Sequence, residues 1–160
     1  MIPPSLLDAI RIAKDNERIA SDSYRDAVQE IQHTVGKRLF QELSDFEQFH
    51  YEKLSALETS LMEEGKFINY EGKEFPLPPI LEVKAAVEPG KKSLMTIISQ
   101  AIGLEEVAKK TYADLAEEID DPQGKEMFQT LSAEEYNHYR ILIEAYWRVS
   151  NFGIWQWVRP

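Results

Sequence analysis

Residues 36–54, GKRLFQELSDFEQFHYEKL, recur as residues 124–142, GKEMFQTLSAEEYNHYRIL, 88 positions further along a chain of 160 residues. The two stretches align without a gap. Ten of the nineteen positions are identical, namely Gly36, Lys37, Phe40, Gln41, Leu43, Ser44, Glu47, His50, Tyr51 and Leu54 in the first copy. The same offset holds upstream, where Glu17 corresponds to Glu105. The chain is therefore an internal duplication, and each half carries a lone glutamate followed by a Glu-x-x-His motif.

Four long stretches of the chain carry apolar residues at alternating steps of three and four, which is typical of amphipathic helices. The spacing predicts helices over about 5–32, 37–63, 92–119 and 123–149. Two short breaks join these helices into antiparallel pairs. A segment of about 64–91, rich in proline and glycine, is long enough to cross the length of a bundle. We therefore predict an all-α fold, a four-helix bundle of two antiparallel hairpins joined by a long crossover.

The predicted domain organisation is a single bundle with an aromatic extension. Residues 1–150 are expected to form the bundle, including the crossover. Residues 151–160 contain Phe152, Trp155 and Trp157 and are expected to form a tail that packs on the bundle. Alternatively, these aromatic residues form an oligomer contact or a patch that docks a partner.

Six ionisable residues lie on the stripes that are predicted to face the core. They are Glu17, Glu47, His50, Glu105, Glu135 and His138. In each predicted hairpin, the lone glutamate and the histidine of the partner helix are equally far from the loop, so all six side chains are expected at one level. Residues three apart share a face of a helix, so each Glu-x-x-His motif presents both side chains to one ion.

Four unpaired carboxylates in a core would cost several kcal/mol each. Two divalent cations would neutralise them, and the two neutral imidazoles would complete the ligand set. The pattern therefore predicts a dinuclear metal site. Oxygen and nitrogen ligands without sulfur suit iron or manganese.

Other polar residues near this predicted site are interpreted differently. Tyr24 and Tyr112 each lie two helical turns after a lone glutamate. They are interpreted either as core aromatics or as hydrogen-bond donors to a ligand carboxylate, or as redox-active phenols. Glu42, Glu106 and Glu134 fall off the stripes and are interpreted as solvated or hairpin-edge charges. His33 is interpreted as a surface residue, because the corresponding residue of the second half is Asp121.

Composition limits the class of protein and its partners. The chain contains no cysteine, which excludes disulfides, thiolate metal sites and cysteine catalysis and fits a cytoplasmic protein. The net charge of −10 argues against nucleic acid as a partner. No run of 18 apolar residues occurs, so no membrane span or membrane partner is expected.

At these residues the chain resembles the ferritin-like superfamily, and within it the rubrerythrin-type di-iron domain. The motifs that carry the resemblance are Glu17…Tyr24, Glu47-Gln-Phe-His50, Glu105…Tyr112 and Glu135-Tyr-Asn-His138. The resemblance implies two bound iron ions, with manganese as the alternative. It implies that Glu47 and Glu135 bridge the ions, that Glu17 and Glu105 are terminal or chelating ligands, and that His50 and His138 bind one ion each.

The resemblance also implies a function, namely redox chemistry on peroxide or dioxygen by an oxidoreductase of the peroxidase or oxidase type. Rubrerythrins usually carry a cysteine-ligated rubredoxin module, which a chain without cysteine lacks, so a separate protein is expected to donate electrons. A homodimer is expected. The alternatives are an iron-oxidising storage protein, a manganese catalase-like protein and a di-iron oxygenase. Rubrerythrins place a further glutamate one turn after the third-helix ligand, where this chain has Ala108.

Overall fold

The computed structural model describes residues 4–76 and 91–155, and in this part of the chain it contains four α-helices and no strand. The helices are α1 (Pro4–Glu30), α2 (Thr34–Glu63), α3 (Lys91–Glu118) and α4 (Pro122–Phe152). Helix α1 packs along α2 and α3 along α4, and α1 also contacts α3. The predicted all-α four-helix bundle is confirmed. None of the described helices combines the length and apolar character that a bilayer span requires.

The duplication extends to the bounds of the helices. Shifting α1 and α2 by 88 positions reproduces α3 and α4 to within one residue at every end. Helix α4 continues to Phe152, three residues beyond the predicted end and into the predicted tail. It stops at Gly153, whose φ of 70° is left-handed and easily adopted by glycine. Residues 77–90 of the predicted crossover and 156–160 of the predicted tail lie outside the described residues.

The two hairpin loops end in N-caps at equivalent positions. The His33 Nδ1 atom accepts a hydrogen bond of 3.1 Å from the amide of Val35 at the start of α2. The Asp121 carboxylate accepts one of 3.0 Å from the amide of Gly124 at the start of α4. Both side chains satisfy an amide that the first helical turn leaves free. His33 is half-buried in the loop before α2, and although the corresponding residue of the second half is Asp121, the two side chains perform the same capping role.

Each hairpin is also held by a repeated lysine contact. The Lys37 ammonium donates to the carbonyl of Val28 at 2.8 Å, and the Lys125 ammonium donates to the carbonyl of Ala116. Both carbonyls lie close to the C-terminal end of the preceding helix, where a positive charge is favourable. The recurrence of lysine in the duplicated motif is therefore explained by helix termination.

The apolar core is divided into two clusters. One cluster contains Ile31, Phe40, Leu94 and Val149 at the end of the bundle where α2 and α3 begin. The other contains Ile10, Leu54, Leu61 and Phe128 at the opposite end. The buried charged residues lie in helical turns between these two clusters. Apolar packing on both sides fixes the height of this polar layer.

A repeated contact between a glycine and an aromatic ring closes each end of the bundle. Trp155 follows α4, is fully buried and lies against Gly36 of α2. Phe67 follows α2 and lies against Gly124 of α4 in the same way. A Cβ atom added at either glycine would overlap the facing ring. The two rings are also 88 positions apart, so the duplication continues beyond the helices.

We expect Gly36→Ala and Gly124→Ala each to lower the free energy of unfolding by about 1–3 kcal/mol, because the added methyl group displaces a packed ring. Gly103→Ala is the matched control, since Gly103 is an exposed glycine of α3 whose added Cβ meets nothing within 4 Å. It should raise the free energy of unfolding by about 0.5–1 kcal/mol through helix propensity. Urea unfolding of the three variants measures these changes. A stabilised Gly36→Ala variant would show that the ring contact is not a constraint.

Candidate metal centre

The six predicted ligand residues come together from all four helices in the polar layer. Each is at most 2% exposed. Helix α1 supplies Glu17, α3 supplies Glu105, and the other four come from the Glu-x-x-His motifs of α2 and α4. We refer below to Glu17, Glu47, His50, Glu105, Glu135 and His138 as the Glu–His cluster.

The Glu–His cluster divides into two overlapping groups of four residues. In each group, one ligand atom per residue lies within 4.8 Å of the others. The first group consists of Glu17, Glu47, His50 and Glu135, and the second of Glu47, Glu105, Glu135 and His138. Glu47 and Glu135 belong to both groups. The other four residues belong to one group each, so the arrangement has two positions for a cation with two carboxylates between them.

The closest contacts within the cluster follow the symmetry of the duplication. His50 Nδ1 lies 2.6 Å from Glu135 Oε1 and 3.4 Å from Glu17 Oε1. His138 Nδ1 lies 3.0 Å from Glu47 Oε1 and 3.6 Å from Glu105 Oε2. Each imidazole therefore faces a glutamate of the opposite hairpin and the lone glutamate of its own hairpin.

These short distances do not produce satisfied hydrogen bonds. Eight buried nitrogen and oxygen atoms of the Glu–His cluster have no hydrogen-bond partner, among them both carboxylate oxygens of Glu135 and the Nδ1 atoms of His50 and His138. In the described chain, every buried side-chain nitrogen or oxygen without a partner belongs to this cluster. Buried polar atoms are nearly always paired, so a group of converging unpaired ones requires a compensating ligand. Carboxylate oxygens and imidazole nitrogens with this arrangement fit divalent cations.

The electrostatics of the cluster favour added positive charge. Burial raises the pKa of Glu17 well above its usual value, and the nearby Glu47 carboxylate raises it further. Burial raises the pKa of Glu135 as well, and the charge of Glu105 adds to this effect. Raised carboxyl pKa values mean that these side chains hold protons where no cation neutralises them.

The two histidines respond to the same surplus of negative charge. Burial acts to lower their pKa values, but the surrounding carboxylates outweigh burial. Glu17 and Glu135 raise the pKa of His50 well above the usual value. Glu105 and Glu47 raise the pKa of His138 to about 9. A divalent cation would replace the protons held on carboxylates and imidazoles alike.

Tyr24 and Tyr112 connect the two hairpins at the level of the cluster. The Tyr24 hydroxyl donates a hydrogen bond of 2.8 Å to Glu105 Oε1, and the Tyr112 hydroxyl donates one to Glu17 Oε1. Burial raises the pKa of both phenols well above 10, so both remain neutral donors. Each tyrosine therefore orients the lone glutamate of the opposite half, which is the second of the roles considered for these residues.

Glu134 lies at the edge of the cluster and was misjudged from the sequence. Its side chain is 10% exposed, and its Oε1 atom lies 3.2 Å from His50 Nε2. It also accepts hydrogen bonds from the Tyr70 hydroxyl and from the Lys73 amide, the latter at 2.7 Å. The interpretation of Glu134 as a solvated or hairpin-edge charge missed these contacts, and the low exposure of its side chain contradicts a solvated charge. Glu134 orients His50 through the Nε2 atom of the imidazole. Tyr70 and Lys73, in the segment after α2, orient Glu134 in turn.

The equivalent position in the first half is occupied by a different kind of side chain. Position 46, which corresponds to Glu134, is Phe46, and its ring packs edge-on against His138 with centroids 4.5 Å apart. His138 Nε2 has no hydrogen-bond partner. The Phe46 ring also packs edge-on against His50, with centroids 5.0 Å apart. The two halves of the cluster therefore differ in the outer nitrogen of the histidine, which faces a carboxylate in His50 and has no hydrogen-bond partner in His138.

The remaining off-stripe glutamates do not join the cluster. Glu106 is exposed and Glu42 is half-buried. The helical period alone distinguishes these two from the cluster residues. It does not identify Glu134, whose role depends on Tyr70 and Lys73, two residues outside any helix. The sequence signal that could have identified Glu134 is the difference between Glu134 and Phe46 at equivalent positions of the duplication.

Comparisons with known proteins agree with this geometry. Residues 96–151, which cover most of α3 and nearly all of α4, match the family model described as Rubrerythrin. This match, which covers the second hairpin, supports a ferritin-like domain of the rubrerythrin type. The structure is similar to that of a hypothetical protein from Pyrococcus furiosus, with a TM-score of 0.69, 24% sequence identity, and coverage of 96% of this chain and 93% of that chain. This similarity extends the fold assignment across both hairpins. The search of curated proteins gives no match.

We predict that Glu134→Gln weakens one metal position more than the other. A carboxylate that hydrogen-bonds a ligand imidazole orients the ring and raises its basicity, and its loss typically costs about 10–100-fold in metal affinity. Titration of metal-free protein with Mn²⁺ or Co²⁺ should show one binding step shifted by about that factor and the other unchanged.

Glu106→Gln is the matched control, because Glu106 also lies next to a cluster glutamate in sequence but is exposed. It should leave both binding steps unchanged. Equal weakening of both steps by Glu134→Gln would contradict a role for Glu134 at His50 alone.

A second prediction concerns the pH dependence of the metal-free protein. The pKa values of Glu17, Glu135, His50 and His138 are raised by folding, so their contribution to stability is present below the unfolded pKa and is lost as pH rises through the folded one. For His138 this loss falls between 6.5 and about 9. The pKa of Glu47 is instead held below 4.5, because its neighbours outweigh burial, so Glu47 stays ionised in this range.

We therefore expect the free energy of unfolding of the metal-free protein to fall as the pH rises from 6.5 to 9. The affinity for a divalent cation should rise over the same range, because metal binding displaces protons. Urea unfolding after chelation and Mn²⁺ titration at matched pH values measure the two trends. Metal-free protein that is more stable at pH 9 than at pH 6.5 would contradict the charge arrangement described above.

Proposed function

We propose that this chain is a non-haem di-iron protein that carries out redox chemistry on peroxide or dioxygen. The observation that supports the proposal most directly is the set of eight unpaired buried atoms in two groups of four residues that share Glu47 and Glu135. Four carboxylates at one level of a core are tolerated where two divalent cations balance their charge. The rubrerythrin-type domain supports the choice of iron, and manganese is the alternative metal with the same ligand preference.

The chain's own residues supply the ligands and their orientation. Glu47 and Glu135 would bridge the two ions, since each belongs to both groups. Glu17 with His50 would hold one ion, and Glu105 with His138 the other. Tyr24 and Tyr112 would keep the two lone glutamates in place through their hydrogen bonds. When bound, the iron pair would supply a Lewis acid and an electron source for a small oxidant.

Electrons for repeated turnover would come from a separate donor protein. The chain has no cysteine, so it cannot hold an iron–sulfur centre of its own. The net charge of −10 favours a donor with a basic contact surface.

Reconstitution under anaerobic conditions tests the metal content. Metal-free protein should take up two Fe²⁺ per chain, and the bound iron should be oxidised on addition of hydrogen peroxide or dioxygen, as followed by optical absorption. Failure to bind any transition metal would reject the proposal. Manganese in protein purified from its natural source would favour the catalase-like alternative, and a large shell-like oligomer in place of the expected homodimer would favour iron storage.

The shared position of Glu47 and Glu135 gives a sharper prediction. Glu47→Ala and Glu135→Ala should each reduce the number of tightly bound metals below two, although the residues lie on different hairpins, because each carboxylate belongs to both groups. Elemental analysis after gel filtration measures the stoichiometry. Glu42→Ala provides the control on α2, since Glu42 is half-buried and outside the cluster. Two metals retained in Glu47→Ala would contradict a bridging role.

A further inference from the structure

A cavity of about 150 Å³ lies between α1 and α3 and reaches the Glu–His cluster. Its outer wall includes Ile19 and Val107, which are 55% and 61% exposed. Its inner wall includes the fully buried Glu17 and Glu105. The cavity therefore connects the surface of the bundle with the carboxylates, and its walls between these two levels are largely aliphatic.

The lining of this cavity follows the duplication. Of its fourteen lining residues, twelve form six pairs separated by 88 positions. Two of these pairs are Ala20 with Ala108 and Ile19 with Val107. The cavity therefore lies on the axis that relates the two halves. Equivalent residues of both halves line it, so it stands in the same relation to both cation positions. A packing defect at an arbitrary place would not be lined by matched pairs.

Small side chains and fixed tyrosines keep the cavity open. Ala20 and Ala108 occupy matched positions one turn after the lone glutamates, where a longer side chain would fill the space. The hydroxyls of Tyr24 and Tyr112 are tied to carboxylates of the opposite half. The cavity opens to the surface beside Ile19 and Val107, so a ligand can enter it from solvent. Concave pockets with mostly apolar walls and a few converging polar groups are typical ligand sites.

We propose that this cavity binds a small, neutral, apolar organic molecule of up to about the size of benzene next to the cluster. A cavity of about 150 Å³ with aliphatic walls is large enough for benzene or xenon. The carboxylates at the inner end of the cavity belong to the two cation positions. The outer wall, which includes Ile19, Val107 and Leu104, offers no charged partner, so the space beyond the cation positions suits a neutral ligand. Binding in the cavity depends on its lining residues alone, whereas a role of the bound molecule as a substrate beside iron rests on the proposed function.

Xenon and benzene are suitable probes. Crystals of the chain pressurised with xenon should show a xenon atom between α1 and α3. Benzene should raise the Tm of both metal-free and Mn²⁺-loaded protein in a saturable manner, because it binds the folded state. Both effects should be lost in Ala108→Leu, which adds an isobutyl group to the cavity wall from α3, and in Ala20→Leu, which does so from α1.

Gly103→Leu is the matched control, because it places the same side chain on α3 where an added Cβ meets nothing within 4 Å. It should retain xenon and the benzene shift. The proposal would be overturned if wild-type protein showed no xenon in the cavity. It would also be overturned if Ala108→Leu or Ala20→Leu still bound xenon or benzene there. If one of the two leucine variants loses its helical circular dichroism, the test rests on the xenon position in wild-type protein and on the other leucine variant. Metal content is measured separately, so xenon binding in a chain that takes up no metal would reject the proposed function and leave the cavity proposal standing.

Discussion

The burial of four carboxylates at one level of the core is the constraint on which the rest of the structure depends. Glu17, Glu47, Glu105 and Glu135 lie between two apolar clusters that leave them almost no access to water. Burial disfavours their charged forms, and their mutual repulsion adds to this cost. Without metal, held protons reduce this cost, and the pKa values of Glu17, Glu135 and both histidines are raised accordingly. Divalent cations would remove this cost, and they would then form part of the core of this bundle.

The duplication determines the geometry of the Glu–His cluster, because the contacts around this layer also repeat. The N-caps His33 and Asp121, the lysines that bind the preceding helix, and the rings of Phe67 and Trp155 on glycine all recur at the same offset. Each contact fixes an end or a loop of a hairpin. Together they set both hairpins to the same height, which brings the two lone glutamates level with both Glu-x-x-His motifs.

The parts of the structure that could be predicted are those controlled by helical period. The four helices, the two hairpins and the positions of the six cluster residues follow from steps of three and four in the sequence. The role of Glu134 could not be predicted in this way, because it depends on Tyr70 and Lys73 in the non-helical segment after α2. The capping by His33 was missed for a related reason. A cap is recognised by local backbone geometry, and histidine is not among the usual N-cap residues.

The departures from symmetry give the two sides of the cluster different roles. On the histidine side, Glu134 holds His50, and the rings of Phe46 and Phe75 pack against His138 with centroids 4.5 and 5.0 Å away. These contacts immobilise both imidazoles. On the carboxylate side, Ala20 and Ala108 leave space that reaches the surface between α1 and α3. The residue at position 108 is decisive here, because a glutamate there would add a carboxylate to the cluster and fill the cavity at the same time. Alanine at this position leaves an opening with mostly apolar walls that leads from the surface to the cluster.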